Sequence, residues 1–219
     1  LVEMLPELKL KPEKCTFSVL GFGNVGSWSG KIFQDKGAKM IAVADHTGFI
    51  RNDKGIDAHD LAAYVAKKGG VAKYPNATKI TKEEFYQTKV DVFIPAALEQ
   101  MVQETEAAWL DCKVVAEGAN APTTPAGERV LQGRGIEVLP AILCNAGGVT
   151  VSYFEWVQDL QRLFWDRDEI RARLAEKLND AFDRVWAVAE ELDIPMRTAA
   201  LVAGIRDVGA ALEARGLYP

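Results

Sequence analysis

The sequence predicts an α/β protein with a doubly wound, mostly parallel sheet, and three observations carry that reading. Apolar runs of strand character alternate with amphipathic helical stretches as far as Pro140. A glycine-rich turn, Gly21-Phe22-Gly23-Asn24-Val25-Gly26, joins the first such run to the first helix. From Gly148 onward the pattern is helical throughout, which adds C-terminal helices to the sheet.

Taken in order, Thr16–Leu20 reads as a buried strand, and Val25, Trp28, Ile32 and Phe33 form the stripe of a helix that Gly37 closes. Lys39–Ala44 is a second strand ending at Asp45. Gly48 to Gly55 has the form of a short ribbon with a turn, after which Asp57 takes the N-cap position ahead of Leu61, Tyr64 and Val65. Gly69 and Gly70 end that helix, and Thr81-Lys82-Glu83-Glu84 is a capping box opening a short helix that carries Phe85. Three more strands are predicted: Val90–Ile94 closed by Pro95, Lys113–Glu117, and Ile136–Leu139 closed by Pro140. Between the last two, Thr124 caps a helix with Pro125 in its first turn and Val130 and Leu131 facing inward. Five strands alternating with helices imply parallel pairing.

In the helical part, Val151, Phe154, Val157, Leu160 and Leu163 make one stripe. Asp166 and Glu169 cap a long helix whose face is Ile170, Leu174, Leu178, Phe182, Val185, Ala189 and Leu192. Pro195 separates it from a last helix with Ala199, Val202, Ile205, Val208, Ala211 and Leu212, ending at Gly216. The five tryptophans are expected in the core.

The glycine turn carries the chemistry. Gly21 permits a tight turn, Gly23 lets the backbone approach a ligand without a Cβ in the way, and Gly26 lets the new helix pack on its strand. Asn24 and Val25 fill the variable positions. Such a turn aims the helix N-terminus, with its free N–H groups and a partial charge of roughly +0.5, at a pyrophosphate. Asp45 follows Gly26 by 19 residues, where a carboxylate accepts hydrogen bonds from ribose hydroxyls, and His46 lies beside it. The unit is therefore predicted to be Rossmann-like and to bind a dinucleotide. Ligands sit at the carboxyl ends of such strands. That brings in Ala96 and Ala97 after the third strand, Asn120 after the fourth, and Asn145 after the fifth. Small residues permit close approach to a ring, and amides orient a carboxamide or ribose without imposing charge.

The 219 residues have a formal net charge of -5 and are 48% hydrophobic and 26% charged, an ordinary globular balance that argues against nucleic acid and for a small-molecule partner. Cys15, Cys112 and Cys144 form no C-x-x-C pair and read as buried free thiols of a reducing compartment; neither His46 nor His59 is spaced to activate one. No metal cluster is expected. With no membrane-length apolar run and no signal-like opening, a cytoplasmic location is expected. The opening Leu1-Val2-Glu3-Met4-Leu5-Pro6 reads as the tail of something longer, so a fragment is expected.

At this point the sequence resembles a known family. Pro95-Ala96-Ala97, Val115-Ala116-Glu117-Gly118-Ala119-Asn120, Pro122-Thr123-Thr124-Pro125 and above all the run from Asn145-Ala146-Gly147-Gly148 through Ser152-Tyr153-Phe154-Glu155-Trp156 resemble the coenzyme-binding domain of hexameric glutamate dehydrogenases. Arg215-Gly216-Leu217-Tyr218-Pro219 resembles that family's C-terminus. Leucine, valine and phenylalanine dehydrogenases share the glycine turn and an Asn-Ala-Gly-Gly run but typically depart after it.

The resemblance implies reversible oxidative deamination of glutamate to 2-oxoglutarate and ammonia, with a nicotinamide cofactor. It implies that Ala96, Ala97, Asn120 and Asn145 lie near the nicotinamide and its ribose, and that Val149 and Ser152 contact substrate. The family's N-terminal substrate domain, with its catalytic lysines and aspartate, has no counterpart here, so no catalytic residue is assigned and the chain alone is expected to be inactive. Residues 1–196 are expected to form the dinucleotide-binding domain, and 197–219 a helix packing toward that substrate domain. The full-length protein is expected to be a homo-hexamer or a hetero-oligomer.

Two alternatives stay open: a non-catalytic regulatory subunit of the same family, and a branched-chain amino-acid dehydrogenase, which Ser152 disfavours. For the cofactor, the Asp45 carboxylate repels a 2′-phosphate and favours NAD over NADP. His46, Arg51 or Lys54 nevertheless place compensating charge nearby, and some family members use NADP with an aspartate at this position.

Overall fold

In the computed structural model, which describes residues 1–216, the chain runs β1 (Thr16–Leu20), α1 (Asn24–Asp35), β2 (Lys39–Asp45), β3 (Gly48–Arg51), α2 (Ala58–Lys68), β4 (Thr78–Ile80) and α3 (Lys82–Tyr86). It continues through β5 (Val92–Pro95), α4 (Glu104–Trp109), β6 (Val114–Ala116), α5 (Pro125–Gly133), β7 (Glu137–Leu139) and α6 (Ala141–Cys144). Three longer helices follow, α7 (Gly147–Gln161), α8 (Arg167–Leu192) and α9 (Met196–Arg215). Among the described residues the strands form one sheet in the order β4-β3-β2-β1-β5-β6-β7. The stretch β2-β1-β5-β6-β7 is parallel, whereas β3 and β4 pair antiparallel at one edge. The fold is α/β with a mostly parallel sheet, as the alternating pattern predicts.

The central strands are apolar and buried along almost their whole length because helices cover both faces. Register puts Leu20 opposite both Ala44 and Pro95, and Ala116 opposite Leu139, so the carboxyl ends of the parallel strands line up. The opposite ends of β1, β5 and β6 are clamped by Asp91. Its carboxylate accepts the Thr16 backbone N–H at 2.9 Å and the Thr16 hydroxyl at 3.2 Å, and Lys113 Nζ lies 2.9 Å away. Burial pushes this carboxyl up, but the Thr16 N–H and the Lys113 ammonium outweigh it and hold it below the usual range. On one face Phe85 of α3 sits 5.5 Å from Phe49 and 6.1 Å from Phe93 by ring centroids, joining sheet edge to sheet centre.

Several expectations are corrected. The sheet has seven strands rather than five, because the predicted ribbon contributes β3 and the unanticipated β4 pairs with it. Helix α4 is also unanticipated. Pro95 lies within β5 rather than after it. In α1 the buried residues are Gly26, Gly30 and Phe33, while Val25, Trp28 and Ile32 are exposed, with Lys31 Nζ 3.6 Å from the Trp28 ring centroid. A hydrophobicity pattern counts glycines as neutral, yet here they are the packing face. Trp28 and Trp156 are exposed and the other three tryptophans half-buried, so none belongs wholly to the core. Cys15 is buried, but Cys112 and Cys144 are only partly so; all three are free thiols. Burial pushes the Cys112 thiol up to about 12, an unreactive state at neutral pH.

By internal contacts the chain divides into two units, Leu1–Ala141 and Ile142–Pro219, the second described as far as residue 216. Within the second, α8 opens on Asp166, whose side chain accepts the N–H groups of Asp168 and Glu169, both at 2.9 Å. α8 pairs with α9 through Arg184–Asp207 at 2.6 Å and Arg206–Glu191 at 3.0 Å. Phe154 and Phe182 are buried, but Leu160 and Leu163 on the first predicted stripe, and Ile205, Val208 and Leu212 on the last, are exposed. No described helix is long and apolar enough to cross a membrane. Leu217, Tyr218 and Pro219 of the C-terminal resemblance lie outside the described residues.

Candidate functional site

At the carboxyl end of β1 the three glycines behave differently, each for a physical reason. Gly21 has φ +94°, and a Cβ there would lie 2.6 Å from the Ala97 Cα. Its N–H bonds the Ala44 carbonyl at 2.7 Å, which fastens the turn to the end of β2. A Cβ on Gly26 would fall on the Gly21 carbonyl oxygen and 2.9 Å from its carbon, so helix and strand meet there backbone to backbone. Gly23, the N-cap of α1, has nothing within 4 Å of where its Cβ would be. No capping side chain occupies the positive end of α1, a 12-residue helix. A pyrophosphate fits this cradle.

The far end of β2 supplies the carboxylate. Asp45 is half-buried, and its Oδ1 accepts the Thr47 backbone N–H at 2.7 Å and the Thr47 hydroxyl at 2.5 Å. Its Oδ2 accepts the Val71 N–H at 3.0 Å. Three donors from two chain segments thus engage both of its oxygens. His46 is exposed in the same turn.

Beyond β5, the Ala96 N–H bonds the Leu20 carbonyl at 2.7 Å, keeping Ala96 and Ala97 against the glycine turn. Beyond β6, the Gly118 and Ala119 N–H groups both bond the Pro95 carbonyl, at 3.0 and 2.9 Å. A Cβ on Gly118 would lie 3.2 Å from both Ala96 Cβ and Val25 Cγ1, so the first turn of α1 and the ends of β5 and β6 converge on small residues. Asn120 is exposed there, and the next residue, Ala121, takes a left-handed φ of 41°, a conformation disfavoured for a residue with a Cβ. Glu117 is fully buried, and its Oε2 accepts the Ala141 N–H at 2.8 Å. The first unit thus brings together Gly21, Gly23, Asn24, Val25, Gly26, Asp45, His46, Ala96, Ala97 and Asn120 along one edge of the sheet.

In the second unit, Asn145 lies between the end of α6 and Ala146, the N-cap of α7, and Val149 and Ser152 lie in the first two turns of α7, both exposed. The Thr150 hydroxyl bonds back to the Ala146 carbonyl at 2.9 Å, whereas Ser152 is exposed to solvent. No group of three or more His, Cys, Asp or Glu side chains suited to a metal occurs among the described residues. Sequence reasoning missed Thr47 and Val71. The Asp-x-Thr spacing is the signature of a side chain bonding its own turn and made Thr47 findable; Val71 arrives from a distant loop with no local signal.

Comparison with known proteins agrees with this geometry. A sequence profile described as Glutamate/Leucine/Phenylalanine/Valine dehydrogenase matches residues 1–216. The chain is 46% identical over 213 residues to the glutamate dehydrogenase of Thermotoga maritima, covering 97% of this chain and 51% of that protein. It is 42% identical over 206 residues to the NADP-specific glutamate dehydrogenase A1 of Halobacterium salinarum, covering 93% and 49%. Other relatives are named NAD-specific. Among solved structures, the hetero-hexameric glutamate dehydrogenase of Thermus thermophilus in its Leu-bound form superposes with a TM-score of 0.91 at 28% identity, covering 99% of this chain and 51% of that one. The chain spans about half the length of the curated relatives it matches. Matched by the family profile over residues 1–216, it belongs to the glutamate/leucine/phenylalanine/valine dehydrogenase family.

Proposed function

We infer that this chain is the coenzyme-binding half of a glutamate dehydrogenase, an enzyme that interconverts glutamate with 2-oxoglutarate and ammonia. The observation that carries the reading is the glycine turn, in which Gly21 and Gly26 interlock while the space beside Gly23 stays open at the N-terminus of α1. When bound, a nicotinamide dinucleotide supplies hydride transfer to or from the substrate carbon. The chain's residues bind and orient. Gly21 to Gly26 hold the pyrophosphate, Asp45 and His46 border the adenosine ribose, and Ala96, Ala97, Asn120 and Asn145 border the nicotinamide half. Val149 and Ser152 contact the substrate. Residues 1–196 serve as the dinucleotide-binding domain, and the segment 197–219, of which 217–219 lie outside the described residues, belongs to the side of a substrate domain of the same polypeptide, which supplies the proton-transfer groups. The whole protein assembles as a homo-hexamer or a hetero-oligomer.

NAD is the preferred cofactor. The support is Asp45, whose three hydrogen bonds hold a carboxylate where a 2′-phosphate would bring up to two further negative charges. Calorimetric titration of the 219-residue chain with NADH and NADPH at pH 8 tests both statements. NADH binding without turnover, and weaker NADPH binding, is the expected result. No heat at millimolar dinucleotide from a folded chain overturns the cofactor reading, and tighter NADPH binding overturns the preference alone.

A further inference from the structure

We propose that Thr47 is the positioning residue for cofactor selectivity: it locks the Asp45 carboxylate in place by bridging it to the loop that follows α2. The inference rests on the dinucleotide reading above and adds a residue that acts through Asp45 rather than on the ligand.

The Thr47 hydroxyl does two things at once. It donates to Asp45 Oδ1 at 2.5 Å and accepts the Ala72 N–H at 3.1 Å, while its own backbone N–H donates to the same Oδ1 at 2.7 Å. The other carboxylate oxygen, Oδ2, takes the Val71 N–H at 3.0 Å. Rotating the carboxylate therefore breaks bonds to two separate chain segments. A carboxylate has about four lone-pair sites, and three are occupied, which leaves one acceptor direction on Oδ2 for a ribose hydroxyl. Every one of these partners donates, so both carboxylate oxygens are engaged as acceptors.

Fixing it matters for selection. A carboxylate free to turn swings away from an incoming 2′-phosphate and relieves the repulsion, so NADP is rejected only weakly. One held from both sides keeps its charge in place and the repulsion stands. The loop behind it is anchored: Gly69 closes α2 with φ +81°, the Tyr64 hydroxyl bonds the Lys73 carbonyl at 2.7 Å, and the Tyr74 hydroxyl bonds Asp60 at 2.6 Å. Gly70 completes the bridge by close approach, because a Cβ there would lie 2.9 Å from the Thr47 Cβ and closer still to its Oγ1. Thr47 itself is exposed, so replacing it opens no core.

Three variants of the 219-residue chain test this, each titrated with NADH and NADPH at pH 8 alongside thermal unfolding. Thr47→Val removes the bridging hydroxyl and keeps the shape. Thr47→Ser keeps the hydroxyl. Gly70→Ala leaves both side chains chemically intact and pushes Thr47 off the loop. The parent is expected to bind NADH more tightly, and Thr47→Ser to keep the NADPH-to-NADH ratio of dissociation constants within about threefold. Thr47→Val and Gly70→Ala should lower that ratio by about tenfold, the scale of one hydrogen bond to a charged group. A merely structural Thr47 moves the melting temperature and leaves the ratio alone. Should Thr47→Val not fold, Gly70→Ala carries the same expectation. An unchanged ratio in the folded variants, equal loss in Thr47→Ser and Thr47→Val, or a parent without preference overturns the proposal while dinucleotide binding persists. A parent that binds neither nucleotide overturns the dinucleotide reading and the proposal with it.

Discussion

Gly23→Ala and Gly26→Ala, three residues apart in one turn, are expected to fail in opposite ways. At Gly26 the added methyl meets the Gly21 carbonyl, with its carbon 2.9 Å away and Val19 Cγ1 at 3.1 Å. A rotamer change relieves neither backbone clash, so the end of β1 or the start of α1 has to move. Overpacking of this kind costs about 1–3 kcal/mol when side chains yield, and with backbone in the way we expect about 3 kcal/mol. For a chain of this size that is a fall of roughly 6–12 °C in Tm. At Gly23 the methyl meets nothing within 4 Å. Loss of an N-cap glycine and the smaller entropy of the unfolded chain nearly cancel, leaving a net effect within about 0.5 kcal/mol. That is about 2 °C or less. The same methyl stands beside the first N–H groups of α1, so NADH affinity should drop by roughly tenfold or more. Thermal unfolding by circular dichroism and calorimetric titration read the two effects separately. A Gly26→Ala chain that melts within 2 °C of the parent, or a Gly23→Ala chain that binds NADH undiminished, refutes the assignment of roles within the turn.

Asp91→Asn should destabilise by about 1–2 kcal/mol at pH 7, since it removes a charged acceptor from the Thr16 N–H and Lys113. Because the folded carboxyl lies below its unfolded value, its stabilisation is complete above about pH 4 and is lost as pH falls through the folded value; the two unfolding curves should converge in acid, and a gap that persists there sinks the linkage. Thr123→Val removes a buried hydroxyl that has no hydrogen-bond partner, so Tm should hold or rise by up to about 3 °C, and a fall of several degrees would reveal a partner. Leu201, Ile205, Val208 and Leu212 line an exposed apolar groove with Ile142 in the second unit. If the chain associates through this groove, sedimentation velocity should show concentration-dependent association in the parent that Ile205→Glu suppresses without lowering Tm.

What was legible in the sequence tracks what is local. The β1-α1-β2 unit declared itself because strand, glycine turn, helix and terminal aspartate all lie within about thirty residues, and the Thr81–Glu84 capping box and the Asp57 N-cap needed only their own neighbours. Helix α4 carried a weaker signal: the Glu106 side chain accepts the Gln103 N–H at its start, but Gln103 is not the Ser or Thr that marks a capping box. Strand β4 carried none: three partly polar residues become a strand only through pairing with β3. The inner face of α1 was misread because its closest contacts are made by residues without side chains. At the candidate site the glycine turn and Asp45 were legible as types, while the orientation of that carboxylate depends on a loop that arrives 26 residues later.

The glycines of α1 do more than fit. A methyl at Gly30 would already touch Met40 Sδ at 3.4 Å, Phe22 Cε2 at 3.5 Å and Ala58 Cβ at 3.6 Å, so a longer side chain has to displace these neighbours or lift α1 away from β2. The field of a helix terminus fades within its first turn. An ångström of lift would therefore weaken the attraction for an anion at Gly23 even with every residue of the turn unchanged. Gly26 and Gly30 act as a spacer of minimal thickness, and the strength of an electrostatic site is set by how little material lies under the helix that creates it.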